Sequence, residues 1–202
     1  MKAVVYVHGK GGGAAECGHY RPLFGDCEVI GLEYRGDTPW EASPQIRAAI
    51  EKLHERFAHI TLIANSIGAY LCMHAGIDAM IRKAYFISPI VDMEQLIAGM
   101  MRRANVTEKE LESEGVIRIA SGEELSWAYL CYVRTHPPVW TAPTHILYGE
   151  HDDLTPIETV AGFAKTHNVS LTVANGCEHW FHTGEQMRIL DDWIKQYEGG
   201  NL

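Results

Sequence analysis

Four short stretches hold side chains whose types and spacing suit chemistry: VHGKGGGA (7–14), LIANSIGAY (62–70), LYGEHDDLTP (147–156) and NGCEHWFHT (175–183). In the second, Ser66 has small residues two positions away on either side, Ala64 and Gly68. Small neighbours let a serine occupy a sharp strand-to-helix turn with Oγ exposed; the usual pattern is G-x-S-x-G, and Ala64 departs from it. The competing reading is that Ser66 only caps the helix that follows, a role serine favours. A serine hydroxyl becomes a useful nucleophile when a base takes its proton and an acid orients that base. His179 offers the imidazole, Asp152 or its neighbour Asp153 the carboxylate, and Asp92 is a more distant candidate for the acid.

The glycine-rich stretch has two readings. As Gly9-x-Gly11-x-x-Ala14 it fits a dinucleotide-binding turn, with Glu33 at about the ribose-binding distance, and would make the chain an NAD-type oxidoreductase. As His-Gly-x-Gly-Gly it fits a turn whose backbone N–H groups receive an oxyanion. A phosphate-binding P-loop is excluded, because Lys10 precedes the glycines and no Lys-Ser or Lys-Thr closes the turn. His151, Asp152, Asp153, His179 and His182 also supply metal-ligand chemistry, but the histidine pair falls in a loop and H-E-x-x-H is absent, so we expect no metal and no organic cofactor. His54, His59, His74, His136, His145 and His167 have no supporting partners nearby in sequence, and Cys177 reads as a packing thiol.

These residues need elements to position them. Apolar, β-branched runs at 3–8, 28–34, 60–64, 84–90, 145–148 and 170–174 read mostly as strands buried on both faces. Between them lie helix signals: Ser43-Pro44 before Ile46, Ala49, Ile50 and Leu53; Thr155-Pro156 with Glu158; and Thr183 with Gln186 before Met187, Leu190, Trp193, Ile194 and Tyr197. Alternating strand and helix predicts a mostly parallel sheet with helices on both faces, and in such sheets ligands bind beyond the carboxyl ends of the strands. Ser66, Asp152 and His179 each fall just after a different predicted strand. From about Asp92 to Trp140 no strand is evident; helix starts are expected near Met93, at Thr107 with Glu110 and at Ser121 with Glu124. We expect one domain over 1–202 with a small helical insertion at 92–140, and a loose tail at EGGNL.

Composition narrows the function. A net charge of −9 argues against nucleic acid as a partner, since phosphate binding needs clustered Lys and Arg. Five cysteines, odd in number and without a C-x-x-C pair, predict a reduced, cytoplasmic protein. The apolar run before His8 is too short for a signal-peptide core or a membrane span.

Taken together, VYVHGKGG, LEYRGDT, LIANSIGA, ILYGEHDDLTP and GCEHWFH resemble the α/β-hydrolase superfamily over nearly the whole chain. The resemblance implies a sheet of about six strands lacking the family's first two, with the 92–140 insertion where the family carries its cap. It implies the chain order Ser66, Asp152, His179 for the triad, with Asp152 favoured over Asp153 by the turn Gly149-x-x-Asp152-x-x-x-Pro156. It also implies that the backbone N–H groups of Lys10 and Ile67 form the oxyanion hole, and it accounts for Glu33 without a ribose. The expected activity is that of a serine hydrolase cleaving a carboxylic ester or related acyl bond of a small molecule. The alternatives are a non-catalytic binding protein on the same fold and, further off, the NAD-type oxidoreductase. The Met-rich segment 93–101 and Trp127, Tyr129 and Tyr132 read as packing before they read as an acyl pocket.

Overall fold

The computed structural model describes residues 1–120 and 122–199. In chain order the elements are β1 (Lys2–Val7), a 3-10 segment (Ala14–Leu23), β2 (Glu28–Gly31), α1 (Pro39–His54), β3 (His59–Asn65), α2 (Ile67–His74), β4 (Lys83–Ile87), α3 (Met93–Ala104), α4 (Glu108–Glu114), β5 (Val116–Arg118), β6 (Glu124–Ser126), α5 (Trp127–Thr135), β7 (Thr144–Gly149), α6 (Ile157–His167), β8 (Ser170–Ala174) and α7 (Gly184–Glu198).

These divide into two compact units, residues 1–91 with 139–202, and residues 92–138. The first holds a six-stranded sheet in the order β2-β1-β3-β4-β7-β8, with every neighbouring pair parallel. The chain steps from β1 outward to β2, then returns past β1 to β3 and continues one way. With right-handed crossovers, that reversal sends the 3-10 segment to one face and α1, α2 and α6 to the other. The first face buries Val4, Tyr6, Ile63, Tyr85 and Leu147 against Cys17, Tyr20 and Phe24 of the 3-10 segment and Leu190, Trp193 and Ile194 of α7. Alternation sends Val5, Leu62, Phe86 and Ile146 to the opposite face, and these are also fully buried. A sheet apolar on both sides explains why its strands read as continuous hydrophobic runs.

Several helix boundaries differ from the sequence expectation. Helix α1 begins at Pro39, with Thr38 as cap residue, so Pro44 lies inside it, and Ser43 donates its hydroxyl proton to Leu71 O (2.8 Å). The Thr155–Glu158 cap does not form: α6 starts at Ile157 with no side-chain cap, and Thr155 is buried. The Thr183–Gln186 capping box does form. The tail residues Gly200–Leu202 lie outside the described residues.

The second unit is not wholly helical. It contains a short antiparallel pair, β5 with β6, Val116 opposite Ser126. Thr107 and Glu110 build the expected capping box on α4, and Asp92 caps α3 by accepting from Gln95 N–H (2.9 Å). Ser121 lies outside the described residues. Glu124 opens β6, and the helix begins later, at Trp127, capped by Ser126 Oγ. Arg134 ties the unit together: its Nε donates to Glu94 (2.7 Å), and its two terminal nitrogens donate to the two oxygens of Glu108 (2.9 and 2.6 Å). Among the described residues, no helix is long and apolar enough to cross a membrane.

Candidate active site

The reversal of strand order between β1 and β3 leaves a crevice at their carboxyl ends, where open parallel sheets bind ligands. The Gly9–Gly12 turn and Ser66 follow these two strands. Ser66 has φ 51° and ψ −122°, a conformation that side-chain-bearing residues rarely adopt. Such strain persists where surrounding bonds over-determine it. Here Ser66 N–H donates to Ile87 O (3.0 Å), and Ser66 O accepts from Ala69 N–H and Ile90 N–H (3.2 Å each). The serine makes no side-chain cap on α2, so the helix-cap reading fails and Oγ is left for other partners.

The small flanking residues have different reasons. A Cβ on Gly68 would come within 2.4 Å of His8 O and 2.8 Å of Val7 O, so α2 starts hard against the end of β1 and only glycine fits. Ala64 is the last-but-one residue of β3, paired with Val7 and Phe86 and fully buried, and its methyl group is absorbed by the sheet.

The three side chains singled out in the sequence form one continuous line. Ser66 Oγ lies 2.9 Å from His179 Nε2, and His179 Nδ1 lies 2.7 Å from Asp152 Oδ2. A carboxylate only accepts, so Nδ1 carries the proton and Nε2 is left as acceptor for the serine hydroxyl. The Asp152 side chain is fully buried, and its other oxygen accepts from Leu154 N–H (2.9 Å) and Thr155 N–H (3.0 Å). The competing acids go elsewhere: Asp153 is exposed, and Asp92 caps α3.

The loops carrying the acid and the imidazole are laced together. His151 N–H donates to Cys177 O (2.8 Å), Glu150 N–H to Ala174 O (3.0 Å), and Gly176 N–H to Glu150 Oε2 (2.8 Å). Gly149 lies under this lacing, where a Cβ would sit 2.3 Å from Glu178 O and 2.7 Å from Cys177 O. Replacing Gly149 with Ala should therefore cost about 1–3 kcal/mol or more of overpacking, a loss of several degrees in Tm by scanning calorimetry. It should also slow any chemistry at Ser66 by pushing His179 off Asp152.

The glycine turn closes with Gly12 N–H donating to Gly9 O (3.2 Å). His8, buried at its base, has Nδ1 2.8 Å from Gly9 O and stacks on Tyr34, whose hydroxyl donates to His8 O (2.6 Å). Tyr34 was not identifiable as a site support from the sequence. Lys10 lies in this turn, and Ile67 is the first residue of α2, where an N–H has no acceptor within its own helix. The segment after the glycines is a 3-10 stretch containing Pro22, not an α-helix that could aim its N-terminus at a pyrophosphate, so the dinucleotide reading loses its main support. Glu33 lies beyond the end of β2, exposed.

A cleft of about 390 Å³ opens over Ser66 and His179. Its walls include the Gly9–Gly12 turn, Glu16, Asn65, Leu154 and Trp180. Trp180 is 68% exposed and stacks on His182. Sequence reasoning passed over Glu16, Asn65, Leu154 and Trp180; the available signal was adjacency to the motifs, since each lies within three residues of one. Among the described residues, no group of three or more His, Cys, Asp or Glu is placed to hold a metal ion.

No protein-family model and no curated protein sequence matches this chain. Solved structures do resemble it. Est1E from Butyrivibrio proteoclasticus is similar with a TM-score of 0.72 at 18% identity, over 98% of this chain and 86% of that one. Alpha/beta hydrolase domain-containing protein 10 from mouse gives 0.73 at 15%, over 98% and 89%. A lipase-esterase related protein from Clostridium acetobutylicum gives 0.66 at 16%, over 97% and 94%. The chain has the α/β-hydrolase fold.

Proposed function

We propose that the protein is a serine hydrolase that cleaves a carboxylic ester or related acyl bond of a small molecule. The observation that carries this reading is the hydrogen-bonded line from Ser66 through His179 to the fully buried Asp152, opening on a cleft. Ser66 Oγ attacks the carbonyl carbon as His179 Nε2 takes the hydroxyl proton, and Asp152 stabilises the imidazolium. The N–H groups of Lys10 and Ile67 receive the negative charge on the carbonyl oxygen. Collapse expels the leaving group, which takes the proton from His179, and water then releases the acyl group by the same steps in reverse. The fold shared with a protein named as lipase-esterase related supports an ester over other electrophiles. Five free cysteines support the cytoplasm as the place of work.

The direct test is covalent labelling. A fluorophosphonate probe is expected to modify the wild-type protein at one residue, Ser66, by peptide mass spectrometry. Hydrolysis of short p-nitrophenyl esters should disappear in step with labelling. Labelling elsewhere, or full turnover after complete modification of Ser66, would dismiss the assignment. An unlabelled protein that turns over no acyl or aryl ester would favour the binding-protein alternative.

A further inference from the structure

One carboxylate in the cleft has no part in the acyl-transfer steps. Glu16 belongs to the 3-10 segment that follows the glycine turn, and it borders the same cleft as Ser66. It is held from two directions: the Tyr6 hydroxyl donates to Oε2 (2.5 Å) and Gly13 N–H donates to Oε1 (3.2 Å). Burial drives the Tyr6 hydroxyl well above the ordinary phenol range, so it remains a donor to Glu16. Glu16 and Tyr6 are therefore one polar unit, and Asn65, which directly precedes Ser66, lines the same cleft. A carboxylate has about four acceptor positions, and the two bonds described occupy two of them.

Sheet order places this unit relative to the chemistry. His179 follows β8 and Glu16 follows β1, so they flank Ser66, which follows β3, on opposite sides along the sheet. The leaving group must meet His179 to take its proton, which leaves the Glu16 side for the acyl group. Lys10 also borders the cleft, with its ammonium 3.9 Å from Asp37 Oδ2.

We propose that Glu16 is a specificity-determining residue: with Asn65 it forms an accepting subsite on the acyl side of Ser66 that favours acyl groups bearing an ammonium or similar cationic donor. This inference rests on the acyl-transfer reading of Ser66. It sets the protein apart from a hydrolase selective for plain alkyl esters, whose acyl groups would leave the subsite's acceptors facing an apolar chain.

The test compares kcat/KM for two isosteric substrates, the p-nitrophenyl ester of ε-aminocaproic acid and p-nitrophenyl heptanoate. The wild type should prefer the cationic ester. Glu16→Gln keeps an acceptor for Tyr6 or Gly13 but drops the charge, and the cationic-to-neutral ratio should fall about tenfold, as expected for one lost charge-assisted contact at a partly open site. Glu16→Asp, with the charge on a shorter arm, should retain part of the preference. If both esters slow together with the ratio preserved, Glu16 is a support of the glycine turn only and the inference is overturned; an unchanged ratio at normal rates overturns it equally. Fluorophosphonate labelling separates the layers. Normal labelling of Ser66 with no charge preference defeats this inference alone, whereas no labelling and no turnover defeats the acyl-transfer reading along with it.

Discussion

Substituting Ser66 with Ala is expected to lower kcat on activated esters by about 10⁴- to 10⁶-fold, with circular dichroism unchanged and Tm shifted by no more than about 2 °C. The size follows from the loss of the nucleophile: without Oγ, His179 can at best activate water, and only the oxyanion donors and the cleft still contribute. The small stability effect follows from local structure. Ser66 does not cap α2 through its side chain, and the bonds that hold its strained backbone all involve its own N–H and C=O, which Ala keeps. Alanine has the same Cβ, so the cost of φ 51° is unaltered. Purified Ser66→Ala protein that retains a tenth or more of wild-type turnover would mean that another group attacks the substrate.

Asp152→Asn should reduce kcat on the order of 10⁴-fold while leaving KM within a few fold. Asn can place its carbonyl oxygen where Oδ1 now accepts from Leu154 and Thr155 N–H. Its NH₂ group then occupies the Oδ2 position, 2.7 Å from His179 Nδ1, and donates where the carboxylate accepted. The imidazole responds by carrying its proton on Nε2, which can no longer take one from Ser66. Geometry survives and the tautomer is wrong, so a fluorophosphonate should label this variant slowly but at the same residue. A loss of tenfold or less, or a rise in KM in place of the fall in kcat, would show that Asp152 orients nothing that the chemistry uses. The variant also separates Asp152 from Asp153, which is exposed and whose amide substitution should be nearly silent.

What could be read from sequence divides along physical lines. The sheet was legible because its inner strands are apolar on both faces and bounded by turn residues, a local signal. The line of Ser66, Asp152 and His179 was legible because each residue follows a strand, and parallel topology alone brings such positions to one edge. Helix starts were less so. Ser43-Pro44 and Thr38-Pro39 carry the same local signature, and the difference lies in the burial of Ser43 against Leu71, a contact between residues far apart in sequence. The N–H of Thr155, which a capping box would offer to Glu158, is bound by Asp152 three residues earlier, and α6 starts only at Ile157, with Pro156 at the cap position. Strands β5 and β6 are three residues each, too short for any periodicity to register, and among the described residues pair only with one another. Glu16 escaped notice because its partners, Tyr6 and the cleft, are assembled by the fold; in sequence it is one acidic residue after a run of glycines.

The connection between β4 and β7 has a consequence for how such a protein changes over generations. Those strands pair directly, Ala84 with Thr144 through to Ile87 with Leu147, while residues 92–138 form a compact unit of their own between them. For the sheet, the whole unit is part of one long crossover, which must run from the carboxyl end of β4 back to the amino end of its parallel neighbour β7. The entropy of closing such a loop rises only with the logarithm of its length, so lengthening, shortening or exchanging it costs the sheet little. Ser66, Asp152 and His179 all lie outside it. Changes of length within 92–138 therefore leave the strand order that positions the reacting residues intact, and the two parts of one chain can evolve at different rates.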